Sequence, residues 1–199
     1  MKKIAILSCC VFLTACQPVQ TNDPNAPPLV KSTRQQIGVT TSYDPSYRKL
    51  DFPMGDVPKD TGVCADVIIR AYRNLDGSQR KDLQQLINSD MKKAWQAYPK
   101  RWGLKQPDPN IDHRRVPNLE VFFSRYGKSL SLSDKNSFQA GDIVTWRIPQ
   151  NGGKFPHIGI ISDKKTISGT PLIIHNIGRG TEESDILYQF PISGHFRYA

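Results

Sequence analysis

The stretch DTGVCADVIIRAYRNL (60–75) opens on turn-forming residues and then places Cys64, Val67, Ile68, Ala71, Tyr72 and Leu75 at intervals of three and four. That spacing predicts an amphipathic helix, capped by Asp60 or Thr61, which buries one stripe and carries a thiol in its first turn. A thiol there meets the partial positive charge of unpaired helix N–H groups, which favours thiolate and predicts a pKa below the usual ~8.5. The same N–H groups, that of Cys64 included, are suited to hold the oxyanion formed when sulfur attacks a carbonyl.

Working outward, Leu83, Leu86, Ile87, Met91 and Trp95 repeat the helical period over 78–95, with Ser78 as the expected N-cap. A turn-rich stretch (98–116) holding Asp112-His113-Arg114-Arg115 follows, and then PNLEVFFSRYG (117–127) reads as a third helix that stops at Gly127. Beyond residue 140 the period falls to two. DIVTWRI (142–148), HIGIISD (157–163), PLIIHNI (171–177), DILYQF (185–190) and GHFRY (194–198) each read as a strand of an antiparallel sheet. Helices first and strands afterwards predict an α+β domain with the N-terminal helices packed on a C-terminal sheet. Neither an internal repeat nor a second domain is evident.

The chain begins with a positive start (Lys2, Lys3), a short apolar core (4–13) and Leu13-Thr14-Ala15-Cys16. That architecture is a secretory signal rather than a membrane span. Its LTAC segment resembles the bacterial lipoprotein box, which implies cleavage before Cys16, lipidation of Cys16 and a membrane anchor. With Gln17 next, the implied destination is the outer membrane, facing the periplasm. The expected organisation is a signal over 1–16, a flexible Pro-, Asn- and Gln-rich tether over 17–40 and one domain over 41–199. Cleavage removes Cys9 and Cys10 and lipidation consumes Cys16, so Cys64 alone stays a free thiol in an oxidising compartment. The formal charge of +9 falls to about +7 without Lys2 and Lys3. A basic exported chain suits an anionic envelope polymer or a phospholipid surface and argues against nucleic acid as partner.

A nucleophilic thiol needs a base, and the chain has four histidines. His157 opens the HIGIISD strand two residues before Gly159, on the same strand face, where glycine leaves room for an imidazole. His175 ends the neighbouring predicted strand, and hairpin pairing would bring it to His157. Asn176 points to the opposite face, so one of the two serves. His113, between Asp112 and two arginines, reads as part of a loop ion network, and His195 as a structural strand residue. No set of His, Cys or carboxylate residues has metal-ligand spacing, and neither metal nor cofactor is expected.

GVCADVIIRAYR, GDIVTWR, HIGIISD and LIIHNIG together resemble the NlpC-type cell-wall cysteine peptidases, a papain-like superfamily, over roughly residues 52–176. The blocks GDVP, GVC, DHRR, GDIVTWR and HIGI look closer still to a family of bacterial envelope proteins within that superfamily. The resemblance implies a papain-like fold with Cys64 as nucleophile, His157 as general base and His175 as the polar residue that orients it. It also implies peptidoglycan peptides as substrate, with an amide cleaved through a thioester. The alternatives are acyl transfer on the same residues, a non-catalytic cell-wall-binding lipoprotein, or an effector aimed at another cell's wall. Two departures stand out: the nucleophile sits in Val63-Cys64-Ala65-Asp66 where the family has Asp-Cys-Ser-Gly, and the family's upstream tyrosine falls on Phe52, with Tyr43 and Tyr47 as nearby hydroxyls. Arg114 and Arg115 are candidates to grip a stem-peptide carboxylate in a bidentate fork, and Asn176 and Trp146 are further candidates for substrate contact. The protein is expected to act as a monomer.

Overall fold

The computed structural model describes residues 24–150 and 152–199, so the expected signal sequence and Cys16 lie outside the described residues. Its elements run α1 (Pro28–Arg34), β1 (Ser42–Tyr43), β2 (Thr61–Gly62), α2 (Cys64–Arg73), α3 (Leu83–Lys93), α4 (Val116–Tyr126), β3 (Lys128–Ser129), β4 (Ile143–Gln150), β5 (Gly153–Lys165), β6 (Pro171–Asn176), β7 (Thr181–Ser184) and β8 (Ile192–Arg197). Strands β3 to β8 form one antiparallel sheet in the order β3-β8-β4-β5-β6-β7, and β1 pairs with β2 in a separate parallel ribbon. The α+β reading of the sequence therefore holds.

Period-two alternation sends the two faces of the sheet into different cores. Ile143, Ile158, Ile160, Ile174 and Phe196 pack with the apolar stripes of α2, α3 and α4, among them Ile68, Tyr72, Ile87, Leu119 and Phe123. Val144, Trp146, Ile161 and Ile173 form a smaller cluster on the other face, covered by Ile186 and Leu187. Residues 185–190 are thus not a strand. They turn across the open face instead, where Leu187 is fully buried and its carbonyl accepts the Trp146 indole N–H at 3.0 Å. β7 is built from the preceding Thr181–Ser184.

Two further expectations change. The tether does not extend to residue 40, because α1 docks on the domain. Leu29 and Val30 join the main core, the Ser32 hydroxyl donates to the Ala71 carbonyl at 2.7 Å, and Gln36 donates to the Val67 carbonyl at 2.9 Å. The second helix starts at Leu83 rather than Ser78, with the Asp82 side chain accepting the Gln84 N–H as its cap.

Candidate active site

Cys64 is the first residue of α2, and Val63, extended at φ −109° and ψ 176°, is its N-cap. Asp60 and Thr61 do not cap the helix because Thr61 and Gly62 are committed to β2. The Asp66 carboxylate performs that role from inside the first turn, accepting the Val63 N–H at 2.7 Å. Asp66 is itself gripped by Arg114, whose Nε and Nη2 each donate at 2.9 Å, while Arg114 also donates to the carbonyls of Ser46 and Asp44.

Arg114 is therefore a buried fork spent largely on a partner 48 positions away in sequence, although it also lines the groove that reaches Cys64. Replacing it with Ala leaves Asp66 charged and unpaired, an expected loss of about 3–5 kcal/mol in chemical unfolding. Arg115→Ala is expected to cost less, because Arg115 is the more exposed of the two arginines and Asp112 keeps the Asp108 N–H. Arg115 bonds Asp112 at 2.8 Å and stacks over the Trp102 ring at 4.0 Å, on the wall of the groove that reaches Cys64.

That groove, about 280 Å³, is lined by Tyr43, Val63, Cys64, Trp102, Arg114, Arg115, Pro117 and Phe155 among others. Tyr43 reaches it because β1 pairs with β2 directly ahead of Cys64. Its hydroxyl neighbours the Cys64 thiol, and burial, with Cys64 beside it, raises its pKa well above the ordinary tyrosine value. Phe52 is 44 % exposed and Tyr47 binds Asp108 and Asn110, so the hydroxyl at the sulfur belongs to Tyr43.

Asn176 and Trp146 are structural as well. The Asn176 amide donates to the carbonyls of Ser42 and Gly62, each at 3.1 Å, tying the β1–β2 ribbon to the end of β6. Trp146 has no exposed surface and packs 5.7 Å from the His157 ring as its back wall. Asn176→Ala removes both ties, and faster amide exchange at residues 42 and 62 is the expected readout.

The two sheet histidines meet. His157 Nε2 lies 3.0 Å from His175 Nδ1, with the rings nearly perpendicular at 85°. Gly159 makes this possible, since a Cβ there would sit 2.5 Å from Ile173 Cγ2 and 3.2 Å from His175 Cβ. On its far side His175 Nε2 bonds Ser184 Oγ at 2.7 Å and stands 3.8 Å from Glu182 Oε1, both on β7. The sequence carries no signal for Ser184 or Glu182, because the short polar run TEES lacks the apolar alternation that marks the other strands. His113 and His195 lie elsewhere, His113 buried beside Arg73 and Arg114, and His195 held between Asp142 and the Ser131 carbonyl.

Burial overturns the expected ionisation of the thiol. Cys64 is 2 % exposed, and desolvation pushes its pKa up to about 12, although the N–H groups of Ile158 and Ala65 and the Tyr43 hydroxyl stabilise the sulfur anion. Burial likewise pulls His157 down to about 3, with His175 contributing, and His175 down to about 4. The resting site is a neutral thiol and neutral imidazoles. Sulfur meets β5 through the amide of Ile158, the residue after His157, and no hydrogen bond joins sulfur to ring: His157 Nδ1 is buried without a partner. Alkylation of Cys64 by iodoacetamide is accordingly expected to be much faster at pH 10 than at pH 7, and equal rates at the two would contradict a neutral resting thiol.

Fold and site together define an α+β domain in which a helix-borne thiol meets the backbone of the strand that carries one of two paired histidines. The chain belongs to the family described as domain of unknown function DUF1287, whose model matches residues 30–198. It is 48 % identical over 208 residues to the uncharacterized protein YijF of Escherichia coli (strain K12), covering 98 % of this chain and 97 % of that one. Among the described residues, no helix is long and apolar enough to cross a membrane, and no group of three or more His, Cys, Asp or Glu is placed to hold a metal ion.

Proposed function

We propose that this protein is a papain-like, NlpC-type cysteine hydrolase of the bacterial envelope that cleaves an amide bond in peptidoglycan peptides. One observation carries the reading: His157 keeps one ring nitrogen open and buried while His175 occupies the other, and the next residue along the strand presents its amide to the Cys64 sulfur. In the proposed cycle the thiol gives its proton to His157 Nδ1 as sulfur attacks the carbonyl carbon. The Cys64 N–H and the Tyr43 hydroxyl receive the oxyanion. The C–N bond then breaks, and the departing amine takes the proton from His157. Water, deprotonated by the same nitrogen, hydrolyses the thioester and the thiol regains its proton. Acyl transfer follows the same steps with an amine in place of that water, and product analysis separates the two.

The envelope location rests on the signal and the LTAC segment at Cys16, and a basic chain suits an anionic polymer. Cys16→Ser is expected to release the protein from membranes into the soluble envelope fraction. A second reading, a wall-binding domain without catalysis, is favoured by one observation, the buried and neutral thiol. The deciding experiment incubates wild-type protein and Cys64→Ala with peptidoglycan and identifies released fragments by mass spectrometry. Fragments from wild type alone support the hydrolase, whereas equal binding without fragments supports the wall-binding domain.

A further inference from the structure

We propose that Ser184 and Glu182 of β7 are positioning residues that fix the tautomers of both histidines so that His157 Nδ1 is kept as a bare lone pair. The inference rests on the cysteine-hydrolase reading and deepens it. One proton is shared across the 3.0 Å contact between His157 Nε2 and His175 Nδ1, so the two rings have two self-consistent assignments. In the first, His157 Nε2–H donates to His175 Nδ1, His175 Nε2–H donates to Ser184 Oγ, and His157 Nδ1 is a bare lone pair. In the second every proton moves to the other nitrogen: Ser184 donates to His175 Nε2, and His157 Nδ1 becomes a buried N–H.

Two observations select the first. Glu182 Oε1 lies 3.8 Å from His175 Nε2, so its negative charge favours an N–H there and opposes a lone pair. The second assignment would also leave an N–H donor at His157 Nδ1, which is buried and has no acceptor. Strand register brings both β7 residues to the ring, since Glu182 pairs with His175, and Ser184 pairs with Ile173, two residues earlier on the same face of β6. Glu182 also meets Arg179 at 3.5 Å, an exposed partner that holds the carboxylate without burying it.

The test is ¹⁵N NMR of the histidine rings near neutral pH in the full chain, for wild type, Glu182→Gln, Ser184→Thr and the double variant Glu182→Gln/Ser184→Ala, with the Cys64 alkylation rate measured alongside. Wild type is expected to show protonated Nε2 and bare Nδ1 on both rings, and Ser184→Thr to keep that pattern. The double variant is expected to populate the Nδ1–H forms and to lower the alkylation rate by about 10- to 100-fold, the range in which outer partners of histidines act. A wild-type His157 carrying its proton on Nδ1 would overturn the proposal, as would tautomers and labelling unchanged in the double variant. If that variant does not fold, Glu182→Gln, at a partly exposed side chain, decides by the same criteria. Neither readout needs a substrate, so a failed peptidoglycan assay would remove the hydrolase reading while leaving the tautomer result to stand or fall by itself.

Discussion

Replacing His157 with Gln is expected to lower kcat/KM on peptidoglycan peptides by about 10³-fold, inside the 10²- to 10⁴-fold range of a positioned general base. The size follows from the ionisation of the site. With the Cys64 thiol pushed up to about 12, almost no thiolate exists at neutral pH, so attack depends on a base that takes the proton as the C–S bond forms. His157 Nδ1 is the open ring nitrogen on the residue before the one whose amide meets the sulfur, and glutamine has no basic nitrogen to replace it. The loss should fall mainly on kcat, since His157 does not line the groove and the walls that would receive a peptide remain. A variant retaining more than a tenth of wild-type kcat would remove His157 from the base role.

Acidification is expected to produce the second large effect. His157, His175 and His113 are buried and held to about 3, 4 and 3 respectively, against an ordinary value near 6.5. For a base whose folded pKa is depressed, the unfolded chain binds the extra proton, so the stabilisation is complete above about pH 6.5 and drains away as pH falls toward the folded values. Three imidazoles over that window amount to several kcal/mol at pH 4.5, a large part of the stability of a domain this size. The Asp56, Asp90 and Asp142 carboxylates, each held against burial below the usual range by arginine partners, contribute their own loss only at still lower pH. Scanning calorimetry is expected to show Tm falling by about 10 °C or more between pH 7.5 and 4.5. Replacing the non-site His113 with Leu should flatten part of that dependence, and an unchanged Tm across the window would contradict the burial argument.

Whatever depends on neighbours within a few positions is legible in the sequence. The stripe from Cys64 to Leu75 and the alternation after residue 140 carry the α+β architecture, and the two histidines near Gly159 are in contact as their strands' pairing predicts. Failures come where a distant partner decides. Arg114 looks like a free fork until Asp66 occupies it. The segment 28–34 has too few apolar residues to declare a helix, and it is ordered by packing Leu29 and Val30 into the core. Residues 185–190 alternate like a strand but bury Ile186 and Leu187 over the sheet as a covering turn. The thiol pKa runs opposite to expectation because a helix start argues for thiolate locally, while complete burial is a property of the whole fold and opposes it more strongly. Tyr43 is legible only as one of two hydroxyls, since its place beside the sulfur depends on pairing with a strand 19 positions later.

The central claim is that the Cys64 sulfur becomes acylated. Acid-quenching the full chain during turnover of peptidoglycan fragments and mapping it by mass spectrometry tests this directly. The expected result is a peptide-derived acyl group on the segment containing Cys64 in wild type, absent from Cys64→Ala and strongly reduced in His157→Gln. Fragment release with no adduct, at equal rates in wild type and Cys64→Ala, would contradict the account.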